Sequence, residues 1–149
     1  IAQGAIQHQL ASVMDLYPTI LNLAGVAVPK GHIIDGKDLA KQLTGNRNPD
    51  RQERFLMHFP HSHRSSYYTV LRLGQWKVIY HYLPNLNPAK TQYELFNLTN
   101  DPFEKTNVAK DHPQVLKRMM SEMVEQLQTQ GALYPVDQQG NELRPQVPQ

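Results

Sequence analysis

Apolar positions in this chain follow the helical period near both ends and the strand period between them. Leu16, Ile20, Leu23 and Ala24 share one stripe at helical spacing. Asp15 stands where a cap would stand, Pro18 falls early enough to be tolerated, and Gly25 can take the left-handed stop. The pattern predicts a short helix. Val26 to Ile34 reads as loop, Asp35-Gly36 as a turn, and Lys37 to Thr44 as a second short helix ended by Gly45. Asn46 to Arg54 is a polar connection.

The period then changes to two. Phe55, Met57 and Phe59 alternate with Leu56 and His58, and Pro60, which has no N–H to give, closes that strand. Tyr67 to Leu73 and Trp76 to Tyr82 are rich in aromatic and β-branched residues and are separated only by Gly74-Gln75. A two-residue Gly-X connection predicts a type II′ hairpin. On its second strand Trp76, Val78, Tyr80 and Tyr82 share a face, with Lys77, Ile79 and His81 on the other. Leu83 to Thr91 reads as an exposed loop, Tyr93 to Leu98 as a fourth strand, and Thr99-Asn100-Asp101-Pro102 as its stop.

Pro113 to Gln130 carries Leu116, Met119, Met120, Met123, Val124 and Leu127 in one helical stripe, with Gly131 as terminator. Such a stripe must be buried, most simply on one face of the sheet, and its methionines are adaptable core filler. The fold class expected is therefore α+β: a small four-stranded antiparallel sheet with a long C-terminal helix packed on it. Three segments follow, 1–54, 55–136 and 137–149. The last is rich in Gln, Gly, Asn and Pro, and cannot repay its ordering without docking, so it is expected as an extended polar tail on a neighbouring surface.

Composition narrows the functions. With 40% hydrophobic residues among 149 the chain can bury a modest core, while 11 prolines and a mean hydropathy of -0.56 imply much irregular backbone. Fifteen basic and 13 acidic residues are spread without runs, which argues against a nucleic-acid partner. The absence of Cys excludes disulfides, thiolate metal sites and cysteine nucleophiles. No apolar run approaches the roughly 20 residues of a membrane-spanning helix.

The densest ionisable cluster is His58, His61, His63 and Arg64 at the end of the first strand. Three readings stand: a solvated loop with one partly buried histidine; a contact site for an anionic or hydroxyl-rich substrate, since Arg offers a fixed fork of donors and His a donor near neutral pH; or zinc ligation by His58, His61 and His63. Pro60 and the lack of a nearby acid weigh against zinc. Asp35 with Asp38, or Asn100 with Asp101, gives too few oxygens for calcium. Arg72 and Lys77 read as strand-face charges and Asp15 as a cap rather than a catalytic acid. None of Ser12, Ser62, Ser65, Ser66 and Ser121 lies in a Gly-x-Ser-x-Gly elbow.

Five landmarks stand in one order: Asp15-Leu16-Tyr17-Pro18-Thr19, Asp35-Gly36, His58-Phe59-Pro60-His61, Arg72-Leu73-Gly74-Gln75-Trp76-Lys77, and the run from Tyr93-Glu94-Leu95-Phe96 to Asn107-Val108-Ala109. Together they resemble the carboxy-terminal region of formylglycine-dependent sulfatases of the alkaline-phosphatase-like superfamily, and Ile1-Ala2-Gln3-Gly4 resembles the stretch after that family's Trp-Pro-Gly. The resemblance implies that 1–54 ends an α/β core, that 55–136 is the antiparallel-sheet subdomain with its terminal helix, and that the parent protein hydrolyses sulfate esters of a glycan or an aryl compound.

It also implies a calcium ion and a formylglycine made from Cys or Ser in Cys/Ser-x-Pro-x-Arg. No Cys, and no Ser followed two positions on by Pro, occurs here. No cofactor, catalytic residue or metal ligand is therefore expected in this chain, and both groups are expected in an N-terminal part, the implied partner. What carries over is substrate contact at His58 and His61, with His63 and Arg64 beside them. A periplasmic or secreted location is implied as well. Two rivals remain: the same subdomain of a phosphomonoester or phosphonate hydrolase, and a non-catalytic glycan-binding module.

Overall fold

Gly74 and Gln75 set the register of the sheet. In a computed structural model describing residues 3–49, 51–61, 67–86 and 89–149, Gly74 takes φ +58° and Gln75 does not follow it into the left-handed region, as a type II′ turn requires. Leu73 is consequently paired with Trp76. Strands β1 (Arg54–Phe59), β2 (Tyr68–Leu73), β3 (Trp76–His81) and β4 (Tyr93–Asn97) form one antiparallel sheet in sequence order. The strands thus agree with the period-two segments to within a residue at each end.

The chain divides into two units, Ile1–Glu53 and Arg54–Gln149. In the second, Leu56, Leu71, Val78 and Leu95 line up directly across the four strands. Against this face lies α3 (Pro113–Thr129), which buries Leu116, Met119, Met120, Met123 and Leu127. Burial of each such side chain stabilises by about 1.5–3 kcal/mol, so this stripe and row are what hold the unit together. Pro113 opens the helix where its missing N–H is not needed. Gly131, at φ +61°, ends it: the Ala132 N–H donates to the Leu127 carbonyl at 2.9 Å and the Gly131 N–H to that of Gln128 at 3.1 Å.

Residues 137–149 differ from the expected tail. Val136 bridges Glu142, the Leu143 N–H donates to the Pro135 carbonyl at 2.8 Å, and Leu143 and Val147 pack on the core of the same unit. The Tyr93 hydroxyl donates to the Gln146 carbonyl at 3.1 Å, and the Arg144 guanidinium lies 4.9 Å from the Tyr134 ring centre. Two apolar residues and an Asp137–Asn141 turn are enough to seat a segment whose average composition is polar.

The first unit is organised around Asp15. A 3₁₀ turn (Val13–Asp15) leads into α1 (Leu16–Leu23), and α2 covers only Ala40–Leu43. Ser12 is the cap of the turn, accepting from the Met14 N–H, and Asp15 completes a capping box by accepting from the Ser12 N–H at 2.7 Å. Asp15 therefore does not cap α1 through its side chain, contrary to expectation. Its carboxylate instead accepts from the Lys37 N–H at 2.6 Å and from Arg51 at 2.6 Å. The Leu39 N–H goes to the Thr19 hydroxyl at 2.9 Å, so residues 37–39 are held out of the helix and it starts later than its pattern suggests, at the Ala40 N–H donated to Asp38. Gly36 is required by this approach, since a Cβ there would meet the Met14 carbonyl oxygen at 2.0 Å.

Candidate functional site

Strand β1 holds His58 on one side of the sheet and Phe59 on the other, and His61, two residues past the end of the strand, lies against Phe59. His58 lies on the helix-covered face, opposite Thr69. Its Nε2 is 2.6 Å from the Leu133 carbonyl oxygen, which can only accept, so Nε2 carries the proton. In the neutral ring Nδ1 must then accept, and it does so from the Thr69 hydroxyl at 2.7 Å, which in turn accepts from the Tyr82 hydroxyl at 2.8 Å. Every link of Tyr82 to Thr69 to His58 to Leu133 is thereby satisfied in one direction. Burial pushes the Tyr82 hydroxyl pKa far up, more than the Thr69 bond lowers it, which keeps it a donor. The helix stop at Gly131 is what presents Leu133 to the ring, so His58 ties the end of β1 to the segment that follows α3.

His61 is exposed and lies tilted against Phe59, with ring centres 4.3 Å apart. Phe59 faces Tyr68 in the register, and Tyr68 faces His81. The rings follow this row, Phe59 to Tyr68 at 5.5 Å and nearly parallel, then Tyr68 to His81 at 6.4 Å. At its far end His81 Nε2 lies 2.9 Å from Glu94, which also receives Lys90 at 3.2 Å. An exposed imidazole thus sits at the open end of an aromatic row whose inner end is a buried histidine hydrogen-bonded to Glu94. This row was not anticipated. Its signal was present in the alternation, since a two-residue hairpin fixes which residues of adjacent strands are neighbours.

His63 and Arg64, the other expected contact residues, fall outside the described residues, as does one ligand of the zinc reading. Among the described residues no three His, Asp or Glu side chains converge on a point where an ion could sit. Among the described residues none is therefore placed to hold calcium, and no Ser of the sequence has the Pro two positions on that a formylglycine precursor has. Lys77 is held by both carboxylate oxygens of Glu104 at 2.6 and 2.7 Å, and Arg72 Nε donates to the Gly74 carbonyl at 3.3 Å, so the two cations are engaged within the unit.

Asp15 and Arg51 form the most buried ion pair described in the first unit. Burial raises the Asp15 pKa, but the N–H groups of Lys37 and Ser12 and the Arg51 guanidinium together lower it further, leaving it below the ordinary carboxylate value. A shielded, fully hydrogen-bonded carboxylate of this kind holds a fold together and has no access to a substrate. Among the described residues no helix is long and apolar enough to cross a membrane.

Comparison with known proteins matches residues 1–132 to the family described as N-sulphoglucosamine sulphohydrolase, C-terminal. Mouse arylsulfatase K is 34% identical over 116 residues, which are 71% of this chain and 19% of that protein. The chain thus spans about a fifth of that relative's length. The solved structure of BT4656 in complex with its substrate D-glucosamine-2-N,6-O-disulfate superposes with a TM-score of 0.58 at 25% identity, over 76% of this chain and 23% of the other. The phosphonate monoester hydrolase of Agrobacterium radiobacter shares the fold, with a TM-score of 0.58 at 23% identity over 83% of this chain and 26% of that one. The four-stranded sheet, its covering helix and the match over nearly the whole sequence agree: the chain belongs to the sulfatases, in the family of their carboxy-terminal region.

Proposed function

We propose that this chain is the carboxy-terminal part of an enzyme hydrolysing sulfate esters, of a sulfated glycan or an aryl compound, in a periplasmic or secreted setting. The observation that carries the reading is the family match over residues 1–132. The formylglycine nucleophile and the calcium ion that activate the ester belong to a preceding catalytic part, and this chain contributes support and substrate contact. His61 is the contact residue. It is exposed, a donor near neutral pH, and set on the aromatic row that begins at Phe59. His63 and Arg64 act beside it, and His58 positions the segment by holding the end of β1.

The test uses the intact gene product. It should release sulfate from an aryl sulfate or a sulfated glucosamine, while the 149-residue chain alone releases none. His61→Ala should lower kcat/KM about tenfold, the loss of one hydrogen bond to a charged group, with formylglycine content unchanged. Unaltered kinetics would remove His61 from the site. A phosphonate hydrolase is the second reading, favoured only by the shared fold of the Agrobacterium enzyme. Turnover of a phosphonate monoester without turnover of any sulfate ester would establish it instead.

A further inference from the structure

The two edges of the sheet are finished differently. A two-residue hairpin makes its flanking pair, Leu73 and Trp76, a hydrogen-bonded one, and bonded and non-bonded pairs then alternate along the ladder. Leu71 and Thr69 therefore also turn their backbone groups to β3, and the Tyr82 N–H, donated to the Tyr67 carbonyl at 3.0 Å, continues the same alternation. Arg72, Val70 and Tyr68 turn theirs to β1, where they face Phe55, Met57 and Phe59. What points outward from β1 is the N–H and C=O of Arg54, Leu56 and His58.

On β4 the outward residues are Tyr93 and Leu95, and both are met. Asn107 Oδ1 accepts from the Leu95 N–H at 3.0 Å, the Val108 N–H donates to the Leu95 carbonyl at 2.9 Å, and Asn107 Nδ2 donates to the Tyr93 carbonyl at 3.1 Å. Among the described residues nothing does this for Arg54, Leu56 and His58. Open edges are ordinarily guarded by a Lys, a Pro, a bulge or a covering segment. Strand β1 keeps an unbroken register over its 6 residues, its only Asp, Glu, Lys or Arg is Arg54, already engaged by Glu122 at 2.8 Å, and Pro60 comes after the strand has ended.

We infer that the outer edge of β1 is an interface with a second copy of this chain, the two β1 strands pairing antiparallel about a two-fold axis at Leu56 so that their sheets become continuous. The occupant is indicated by the strand's fit to itself. A two-fold at Leu56 sets every outward residue against another, Arg54 opposite His58 of the second copy and Leu56 opposite Leu56, and so makes about six backbone bonds. Between them Phe55 lies beside Met57 of the second copy, twice, on the face away from α3, an aromatic and thioether contact that adds to the bonds. No two acids and no two guanidinium groups come opposite one another. Pairing through a single strand is a small interface, so the association is weak and depends on concentration.

The test uses the intact gene product, with its mass in solution followed by sedimentation and its amide exchange read residue by residue by mass spectrometry. Between about 10 µM and about 1 mM the product should pass from monomer to dimer, and exchange at the Leu56 and His58 amides should slow at least about tenfold. The Met57 amide, bonded to Val70 within the sheet, should stay slow throughout and serves as the control. Leu56→Pro removes an outward N–H that no bond inside the chain uses, so it should abolish the dimer and leave the fold, reported by Trp76 fluorescence, in place. Where Leu56→Pro fails to fold, Phe55→Lys combined with Met57→Lys replaces it, because the pairing would then set two ammonium groups side by side. A dimer that resists dilution but is split by either variant, with both amides protected, supports the proposal equally. A monomer at every concentration with both amides fast overturns it. So does a monomer in which they are slow at every concentration, since the edge is then covered within one polypeptide, and so does a dimer that leaves both amides fast, since it forms through another surface.

Discussion

The two units of this chain solve the problem of an interior in opposite ways. The second buries a row of aliphatic side chains under a methionine-rich helix, and the polar groups it buries are Thr69, within a directed set of hydrogen bonds, and the hydrogen-bonded His81 and Glu94. The first buries a carboxylate, a hydroxyl and an amide, and leaves its aliphatic stripe outside. Hydrophobic burial is roughly proportional to area and tolerates repacking, whereas a buried ion pair depends on both partners and on the bonds that satisfy them. The second unit has the interior of a self-sufficient domain. The first is held by the bonds of Asp15 and leaves its apolar stripe exposed.

This contrast is broken most directly at Arg51. Arg51→Met removes the cation but leaves the Asp15 carboxylate buried, and stranding one partner of a buried pair costs about 3–5 kcal/mol. Amide exchange at Leu39 and Thr19 should rise accordingly, while Trp76, the single tryptophan and a reporter of the second unit, should show an unchanged unfolding midpoint. Met123→Ala should do the converse: a fully buried Met cut to Ala costs about 2–5 kcal/mol, read by Trp76 fluorescence in a urea titration. Ile20→Ala, a deletion of similar size at an exposed site, should change the stability of the 149-residue chain by less than about 0.5 kcal/mol. A large loss at Ile20 in this chain would erase the distinction between the units.

The same contrast explains what could be read from the sequence. Period-two alternation, the Gly74-Gln75 connection and the stripe of α3 are each a local pattern that its own unit satisfies locally, and strands, register and covered face follow. The stripe of Leu16, Ile20 and Leu23 is equally periodic, but periodicity says only that one face is apolar, not that its cover belongs to the same stretch of chain. Asp15 looked like a cap because caps are judged from sequence neighbours, whereas Lys37 and Arg51 reach it from far along the chain. The tail's composition gave no sign that Leu143 and Val147, with a local turn, would seat it. In the histidine cluster, strand parity separates His58 from Phe59, yet the bond to Leu133 depends on how the chain leaves α3, which no local pattern encodes.

Acid should sharpen the contrast by a smaller amount. The Asp15 pKa is depressed in the folded state, so its contribution is complete above the unfolded carboxylate value and is lost as the pH falls through the folded one. Amide protection at Leu39 should therefore decline as the pH drops below the ordinary aspartate value of 3.8, and Asp15→Asn should flatten that decline while lowering protection at neutral pH. A decline of the same slope in Asp15→Asn would assign the acid sensitivity to another group.

The smallest effect lies within the polar thread of the second unit. Tyr82→Phe removes only the first donor: the ring still fills the core, Thr69 still donates to His58 Nδ1, and His58 Nε2 still donates to Leu133, so the cost should be about 0.5–1.5 kcal/mol. Thr69→Val should cost more despite its similar shape, because it removes the bonds of 2.8 Å to the Tyr82 hydroxyl and 2.7 Å to His58 Nδ1 and leaves only the long 3.5 Å bond between those two atoms in their place. In both variants the ¹⁵N shifts of His58 should still report the Nε2–H tautomer, since the Leu133 carbonyl can only accept. If Tyr82→Phe instead matched Met123→Ala in cost, the thread would be a structural element of the same rank as the aliphatic row. The second unit would then share with the first a dependence on polar links, and the difference between them would be one of proportion.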